Sequence, residues 1–378
     1  MGQSLCASTS PPASHENRVL PPKPGLGSSK YGPYRKNTTT NTWTLHTTSE
    51  DATLPTSFAT EKELKAWLIQ HVTITQQISQ SIVRQPGSVA GAQFIIADCE
   101  DCDIYLMDHS STVSVDRCKN CRIYIGPCDS SVFLRECNGC TFVIATRQLR
   151  TRDCKDNDVL LFCGTEPVIE KTKKLRLGCY HGTYFDLQKH LDTCALSKYH
   201  NRWHAVHDFT PGSGTGQNWS VLQEGTTGKD LGMKDIPGLT LHGSPAVAAV
   251  VPLTVPTKQK VSDRLVFFAP TVEGMKKGDE CVLGVGSRLV DCKHQAMLPD
   301  AWPLSQASTI KKKMREACVV RPGANGASKD VSLQPKTLVV RVAVGGEDGA
   351  VPETNTEHWG VLDQGKLMPW FDQWGLAV

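Results

Sequence analysis

Three cysteine pairs stand out for the chemistry their spacing could support: Cys99 with Cys102, Cys118 with Cys121, and Cys137 with Cys140. A CxxC spacing brings two thiolates within reach of one tetrahedral zinc ion. The pairs, however, recur at a fixed period. Asp98-Cys99-Glu100-Asp101-Cys102-Asp103-Ile104 aligns with Arg117-Cys118-Lys119-Asn120-Cys121-Arg122-Ile123, and both align with segments beginning at Glu136 and Asp153. The leading cysteines Cys99, Cys118, Cys137 and Cys154 lie 19, 19 and 17 residues apart. Such a recurrence stacks equivalent side chains in a column instead of converging four on one point. The fourth segment also carries Asn157 where the others have their second cysteine, a change a structural position accepts and a ligand does not. The pairs therefore read as a buried ladder of free thiols, and no metal site is assigned.

Two further sets of residues invite chemistry. After removal of Met1, Gly2 would head the chain, the position N-myristoylation requires, and Cys6 could take a palmitoyl chain as the second anchor. The sixth residue departs from the favoured Ser or Thr. His204 and His207 lie close together in Trp203-His204-Ala205-Val206-His207-Asp208-Phe209-Thr210-Pro211. With no cysteine or carboxylate set beside them, they read as hydrogen-bonded packing residues.

The repeat defines the elements that carry these residues. Coils of this length, with short β-rich runs and polar corners, are the signature of a β-solenoid, in which no coil buries its apolar face alone. Second short strands fall between the Cys segments at Val113-Ser114-Val115, Val132-Phe133-Leu134 and Gln148-Leu149-Arg150. Strand alternation puts Gln148, Arg150 and Arg152 on one face, with Leu149 and Thr151 on the other. Leu149 suits the core, so the Gln/Arg face points outward. An outward arginine on a strand is ordinarily solvated surface.

Around the solenoid, the chain divides by texture. Residues 1–58, rich in Ser, Thr, Pro and Asn, read as a disordered arm. Residues 60–72 read as a helix, with Thr60 as N-cap, Glu61 and Glu63 in the first turn, and Leu64, Trp67 and Leu68 on one face. Residues 183–194 read as a cap. The solenoid domain is bounded at 59–222, residues 223–262 form a linker, and residues 263–378 form a small α/β domain. That domain has strands at Arg264-Phe268 and Leu338-Val342 and a helix at 307–317.

The chain has 378 residues, of which 39% are apolar and 21% charged, with a formal net charge of +3. This balance argues against nucleic acid as a partner. No run of 18 apolar residues is present, and no charged n-region precedes an apolar stretch, which argues against export. The 15 cysteines are then expected as reduced thiols in the cytoplasm. No Gly-rich phosphate loop of the P-loop type occurs.

Several strings together resemble one family. They are Pro86-Gly87-Ser88-Val89-Ala90-Gly91, Phe94-Ile95-Ile96-Ala97-Asp98-Cys99, Asp108-His109-Ser110, Gly126-Pro127, Arg152-Asp153-Cys154, and His207-Asp208-Phe209-Thr210-Pro211 with Asn218-Trp219. Over residues 80–222 the chain is similar to the tubulin-cofactor-C (C-CAP) domain family. It is closer to the branch whose domain ends in His-Asp-Phe-Thr-Pro than to tubulin cofactor C itself. The resemblance implies a mainly β fold, a right-handed parallel β-helix. It also implies GTPase-activating action on an ADP-ribosylation-factor-like (ARF-like) small GTPase in its GTP form, in trafficking of lipidated proteins to the cilium or flagellum.

The family's catalytic arginine lies in a Gln-x-Arg string, matched here by Gln148-Leu149-Arg150. Its acidic and aromatic interface residues match Glu170 and Phe209, and Arg152 shares the face. No cofactor is expected in this chain, because GTP and Mg belong to the partner. The resemblance places the protein in the cytoplasm at the ciliary or flagellar base or axoneme, and at the plasma membrane through acylated Gly2 and Cys6. The family's basic cluster after its acylated terminus is missing, since the nearest lysine is Lys23. Alternative readings are a non-catalytic scaffold binding tubulin or ciliary-base proteins, and a tubulin-folding cofactor.

Overall fold

The computed structural model describes residues 31, 33–46, 54–198, 201–211, 218–223 and 225–241, together with the backbones of four further strands. From residue 73 the chain winds into a parallel β-helix of three unequal faces.

Face A stacks β4 (Thr73–Thr75), β6 (Phe94–Ala97), β8 (Val113–Asp116), the second halves of β9 (Arg122–Arg135) and β10 (Thr141–Arg152), β12 (Val168–Glu170) and β15 (His207–Asp208). Face C stacks β5 (Ser81–Arg84), β7 (Asp103–Leu106), the first halves of β9 and β10, β11 (Asp158–Cys163), β13 (Leu175–Cys179) and β16 (Trp219–Val221). Between them, face B is one residue wide. It is a column of isolated parallel bridges running Ile78, Glu100, Lys119, Asn138, Lys155 and Lys173.

This geometry explains the CxxC period. Each face B residue is flanked by two corners in the left-handed backbone region: Asp98 and Asp101, Arg117 and Asn120, Glu136 and Gly139, Asp153 and Asp156. Asp, Asn and Gly take that conformation most readily, which accounts for the polar corners. The residue after each corner turns into the core where two faces meet, and only a small apolar side chain fits. Cys99, Cys102, Cys118, Cys121, Cys137, Cys140 and Cys154 are all buried and free. Each thiol donates to a backbone carbonyl, as Cys121 Sγ does to Lys119 O at 3.2 Å. At Asn157 the amide takes over. Its Oδ1 accepts from Cys140 N at 2.8 Å, and its Nδ2 donates to Cys137 O at 3.0 Å. The thiol ladder is therefore structural, and an amide can end it because the position serves hydrogen bonding.

Columns of Ile104, Ile123, Phe142, Val159 and Leu177, and of Val113, Val132 and Leu149, fill the interior. Each fully buried side chain of this kind contributes about 1.5–3 kcal/mol. The two long faces differ in what lies outside them. Face C is apolar on its outer side as well, where Tyr105, Tyr124, Val143 and Leu160 are buried. Over them pack α2 (Leu187–Thr193) and residues 225–241, which contribute Met233, Leu239 and Leu241. Tyr105 Oη donates to Lys234 O at 3.0 Å and accepts from Lys234 N at 3.1 Å. β17 (Leu239–Thr240) pairs antiparallel with β14 (Thr183–Tyr184). Residues 225–241 are thus part of the folded unit and not linker, a correction to the boundary at 222. The Gly and Pro texture hid a segment whose few apolar residues are all spent on face C. Among the described residues, face A has no such cover.

Two expected strings meet at one turn. Asp108 Oδ2 accepts from Val89 N at 2.7 Å and Ala90 N at 2.8 Å. Gly126 lies so close to this coil that an added Cβ would stand 2.6 Å from Asp108 O. No larger residue fits there without moving backbone.

The arm is also corrected in part. Residues 34–58 carry a three-stranded antiparallel sheet of β1 (Tyr34–Asn37), β2 (Thr42–Leu45) and β3 (Ser57–Phe58). It packs on α1 (Glu61–His71) through Tyr34, Trp43, Phe58, Leu64 and Trp67. Aromatic residues spaced through a polar stretch gave too weak a period to read. Thr60 caps α1 as expected, its Oγ1 accepting from Glu63 N at 3.2 Å. In the C-terminal region, β18 (Asp263–Phe268), β19 (Asp291–Met297), β20 (Leu338–Ala343) and β21 (Trp359–Leu362) form an antiparallel sheet ordered β19-β20-β18-β21. The helix expected at 307–317 lies outside the described residues.

Candidate functional site

Face A alternates as the sequence implies. On β10, Leu149 and Thr151 are buried while Arg150 and Arg152 are exposed. Gln148, half-buried, accepts from Ser131 Oγ through its Oε1 at 3.3 Å. That contact fixes the amide next to Arg150.

Arginines on the neighbouring coils are paired across rungs. Arg117 meets Asp98, Arg135 meets Asp116 at 2.6 Å, and Arg176 meets Asp158 at 2.6 Å. Arg152 reaches Asp153 at 3.2 Å and Glu170 at 4.0 Å. Among the described residues, Arg150 has neither a hydrogen-bond nor an ion-pair partner. Its rung neighbours are Phe133 on one side and Val168 on the other. Neither side chain offers a hydrogen-bond acceptor, so the charge projects from a strand held on both edges.

Glu170 follows on the next rung in register with Arg152. Phe209 is seated one rung further, its N donating to Ile169 O at 2.9 Å, and its ring is 63% exposed. A large exposed aromatic needs support, and the His-Asp-Phe-Thr-Pro string supplies it. Asp208 accepts from Thr210 N at 2.9 Å and from Asn218 Nδ2 at 2.8 Å. Asn218 Nδ2 also donates to Thr210 O at 2.7 Å, and Thr210 Oγ1 accepts from Lys171 N at 2.6 Å. The His207 ring meets Phe209 edge-on with centroids 4.5 Å apart.

Gln148, Arg150, Arg152, Glu170 and Phe209 are thereby brought together on one face that the other described residues leave uncovered. Sequence reasoning did not single out Phe133 and Arg135. They occupy the same face one coil earlier, with the Arg135 guanidinium 5.7 Å from the Phe133 ring. The coil alignment would have found them by stepping back from Arg150 and Arg152. His204 packs edge-on against Trp203 and His207 lies on Phe209, so the two rings serve separate contacts. Gly2 and Cys6 lie outside the described residues.

Residues 91–209 match the family model "Tubulin binding cofactor C". Protein XRP2 from Mus musculus is 39% identical over 296 residues, covering 75% of this chain and 84% of its own length. The chain belongs to the XRP2 family of tubulin-cofactor-C-domain proteins. Protein XRP2 from Gallus gallus is 43% identical over 228 residues, and that match spans 63% of its length and 58% of this chain. The human Protein XRP2 is likewise 43% identical over 230 residues, spanning 64% of its length and 58% of this chain. Among solved structures, Tubulin Binding Cofactor C from Leishmania major aligns over 40% of this chain and 89% of its own, at 18% identity and a TM-score of 0.29. That score is too low to support any inference.

Proposed function

We propose that this XRP2-family chain accelerates GTP hydrolysis on an ARF-like small GTPase, with Arg150 as an arginine finger. The observation that carries the reading is the isolation of Arg150: exposed and, among the described residues, without an internal partner, on a rigid strand of the long face that those residues leave uncovered. In phosphoryl transfer, negative charge spreads over the transferred group, and a guanidinium delivered in trans contributes about 10³–10⁵ in rate. A finger already paired to a carboxylate would have to break that pair first. Arg150 has nothing to break, and its strand supplies preorganised charge.

Gln148, anchored by Ser131, presents its amide nitrogen to the same partner surface. Glu170 and Phe209 supply a charged and an aromatic contact, the kinds of residue that anchor interfaces when a ring fills a pocket. The GTPase brings GTP, Mg and the attacking water. Acylation at Gly2 and Cys6 would hold the protein at a membrane near the ciliary or flagellar base, where lipidated cargo is released. A scaffold without catalysis, or a tubulin-folding cofactor, would use the same face without needing Arg150.

Single-turnover GTP hydrolysis by a panel of ARF-like GTPases tests this. One member is expected to be accelerated by orders of magnitude. Arg150→Ala is expected to remove that acceleration while still binding the transition-state-mimic form of the GTPase. If no member responds, or Arg150→Ala is as active as the unaltered chain, the catalytic reading fails and the scaffold reading replaces it.

A further inference from the structure

Among the described residues, one group brings together three metal-ligating side chains, and the solenoid repeat does not explain it. Asp108, His109 and His190 place one ligand atom each within 4.8 Å of one another. Asp108 and His109 sit just past β7, and His190 comes from α2, the helix laid over face C. The Asp108 side chain is wholly buried, His190 is 5% exposed and His109 is 14% exposed.

The hydrogen bonding of Asp108 is nearly complete without the imidazoles. Oδ2 accepts from Val89 N and Ala90 N, and Oδ1 accepts from His109 N at 2.8 Å. A carboxylate oxygen has two lone pairs, so Oδ1 keeps one. Two imidazole nitrogens converge on it, His109 Nδ1 at 3.2 Å and His190 Nε2 at 3.4 Å. Both distances are long for an N–H···O bond, whose mode is about 2.9–3.0 Å. They match the edge of a tetrahedron around zinc, about 3.3 Å for metal–ligand bonds of about 2.0–2.1 Å. One lone pair cannot serve two N–H donors well, but it can serve one cation that both imidazoles also ligate.

The outer partners agree. His190 Nδ1 lies 2.7 Å from Tyr184 Oη. Fixing the distal nitrogen of a ligating histidine in this way sets its ring orientation and tautomer.

We infer that Asp108, His109 and His190 form a zinc site that pins α2 to the coil beneath it. The fourth position is open toward the partly exposed His109 side and is filled by water. Two imidazoles and a carboxylate suit zinc among the common biological divalent ions, whereas magnesium and calcium prefer oxygen. This site is separate from face A and does not depend on the GTPase reading.

The test uses the full-length protein, stripped with chelator and then dialysed against zinc or cobalt. One zinc per chain is expected to be retained. The cobalt form is expected to show tetrahedral visible bands without thiolate-to-cobalt absorption. Tyr184→Phe is expected to weaken zinc binding by about 10–100-fold, the usual effect of an outer partner, and His190→Gln to weaken it more. No retained zinc in the unaltered chain would overturn the proposal, as would equal retention by His190→Gln. Thiolate-to-cobalt bands would also overturn it, by moving the metal to the cysteine ladder. That spectrum is read on the unaltered protein, so it decides the question even if a variant misfolds.

Discussion

Arg150 gains its proposed role from what surrounds it, and Lys is a poor substitute there. A lysine carries the charge on a flexible stem without the planar fork. Arg150→Lys is therefore expected to keep binding and lose most of the rate, as single-turnover hydrolysis would show. Asp103 is a different kind of residue. It is buried, and its carboxylate joins Arg122 to Lys234 at 2.6 Å. Burial raises its pKa, but the bonds from Arg122 and Lys234 prevail and hold it below the usual 3.8. A depressed carboxylate stabilises the fold fully above pH 3.8 and loses that contribution as pH falls through its lower folded value. Asp103→Asn should thus lower stability at pH 7 and flatten the acid limb below pH 3.8, measured by urea unfolding across pH. At this scale strand alternation showed in the sequence that Arg150 faces outward, while its proposed role and those of Glu170 and Phe209 came only from the family resemblance. The Lys234 partner of Asp103 and the His190 partner of Asp108 were not legible, because they lie on segments with no period of their own.

Among the elements, the corner is the unit that decides the fold. Asn157 closes the ladder with two backbone bonds. Asn157→Leu would orphan Cys140 N at a cost of about 1–3 kcal/mol, while Cys137 O keeps the bond from Lys155 N at 3.0 Å. The expected result is a clear fall in the denaturant midpoint, with the fold retained. The clamp on β15 has a functional readout instead. Asp208→Ala releases Thr210 N and Asn218, so the turn that supports Phe209 loosens while Arg150 is untouched. Weaker affinity for the GTPase is expected, with the rate at saturation near that of the unaltered chain, separable by titrating the activator. The solenoid strands were legible from the 19-residue period. β1 to β3 and the segment over face C were not, since both are fixed by tertiary packing of a few aromatic and aliphatic residues.

As a whole molecule, a β-helix holds each coil chiefly through its neighbours, so protection should grade along its axis. Hydrogen exchange is expected to be slowest in β9, β10 and β11, which have strands on both edges, and faster in β5 and β16 at the ends. Uniform protection from end to end would contradict this. The exposed Arg–Asp columns are expected to contribute little, because solvent-facing pairs are worth about 0–1 kcal/mol; adding salt should barely move the unfolding midpoint. The parallel stacking also makes face A a ruler. Arg150, Glu170 and Phe209 stand on successive rungs, and rungs are spaced about 4.7–4.9 Å apart. Any partner that touches all three must therefore carry its own contacts at that pitch. A coil added at either end of the cylinder would lengthen the protein and leave the scale unchanged. A coil inserted between β10 and β12 would shift the marks by a whole division, and the same residues would address a different surface.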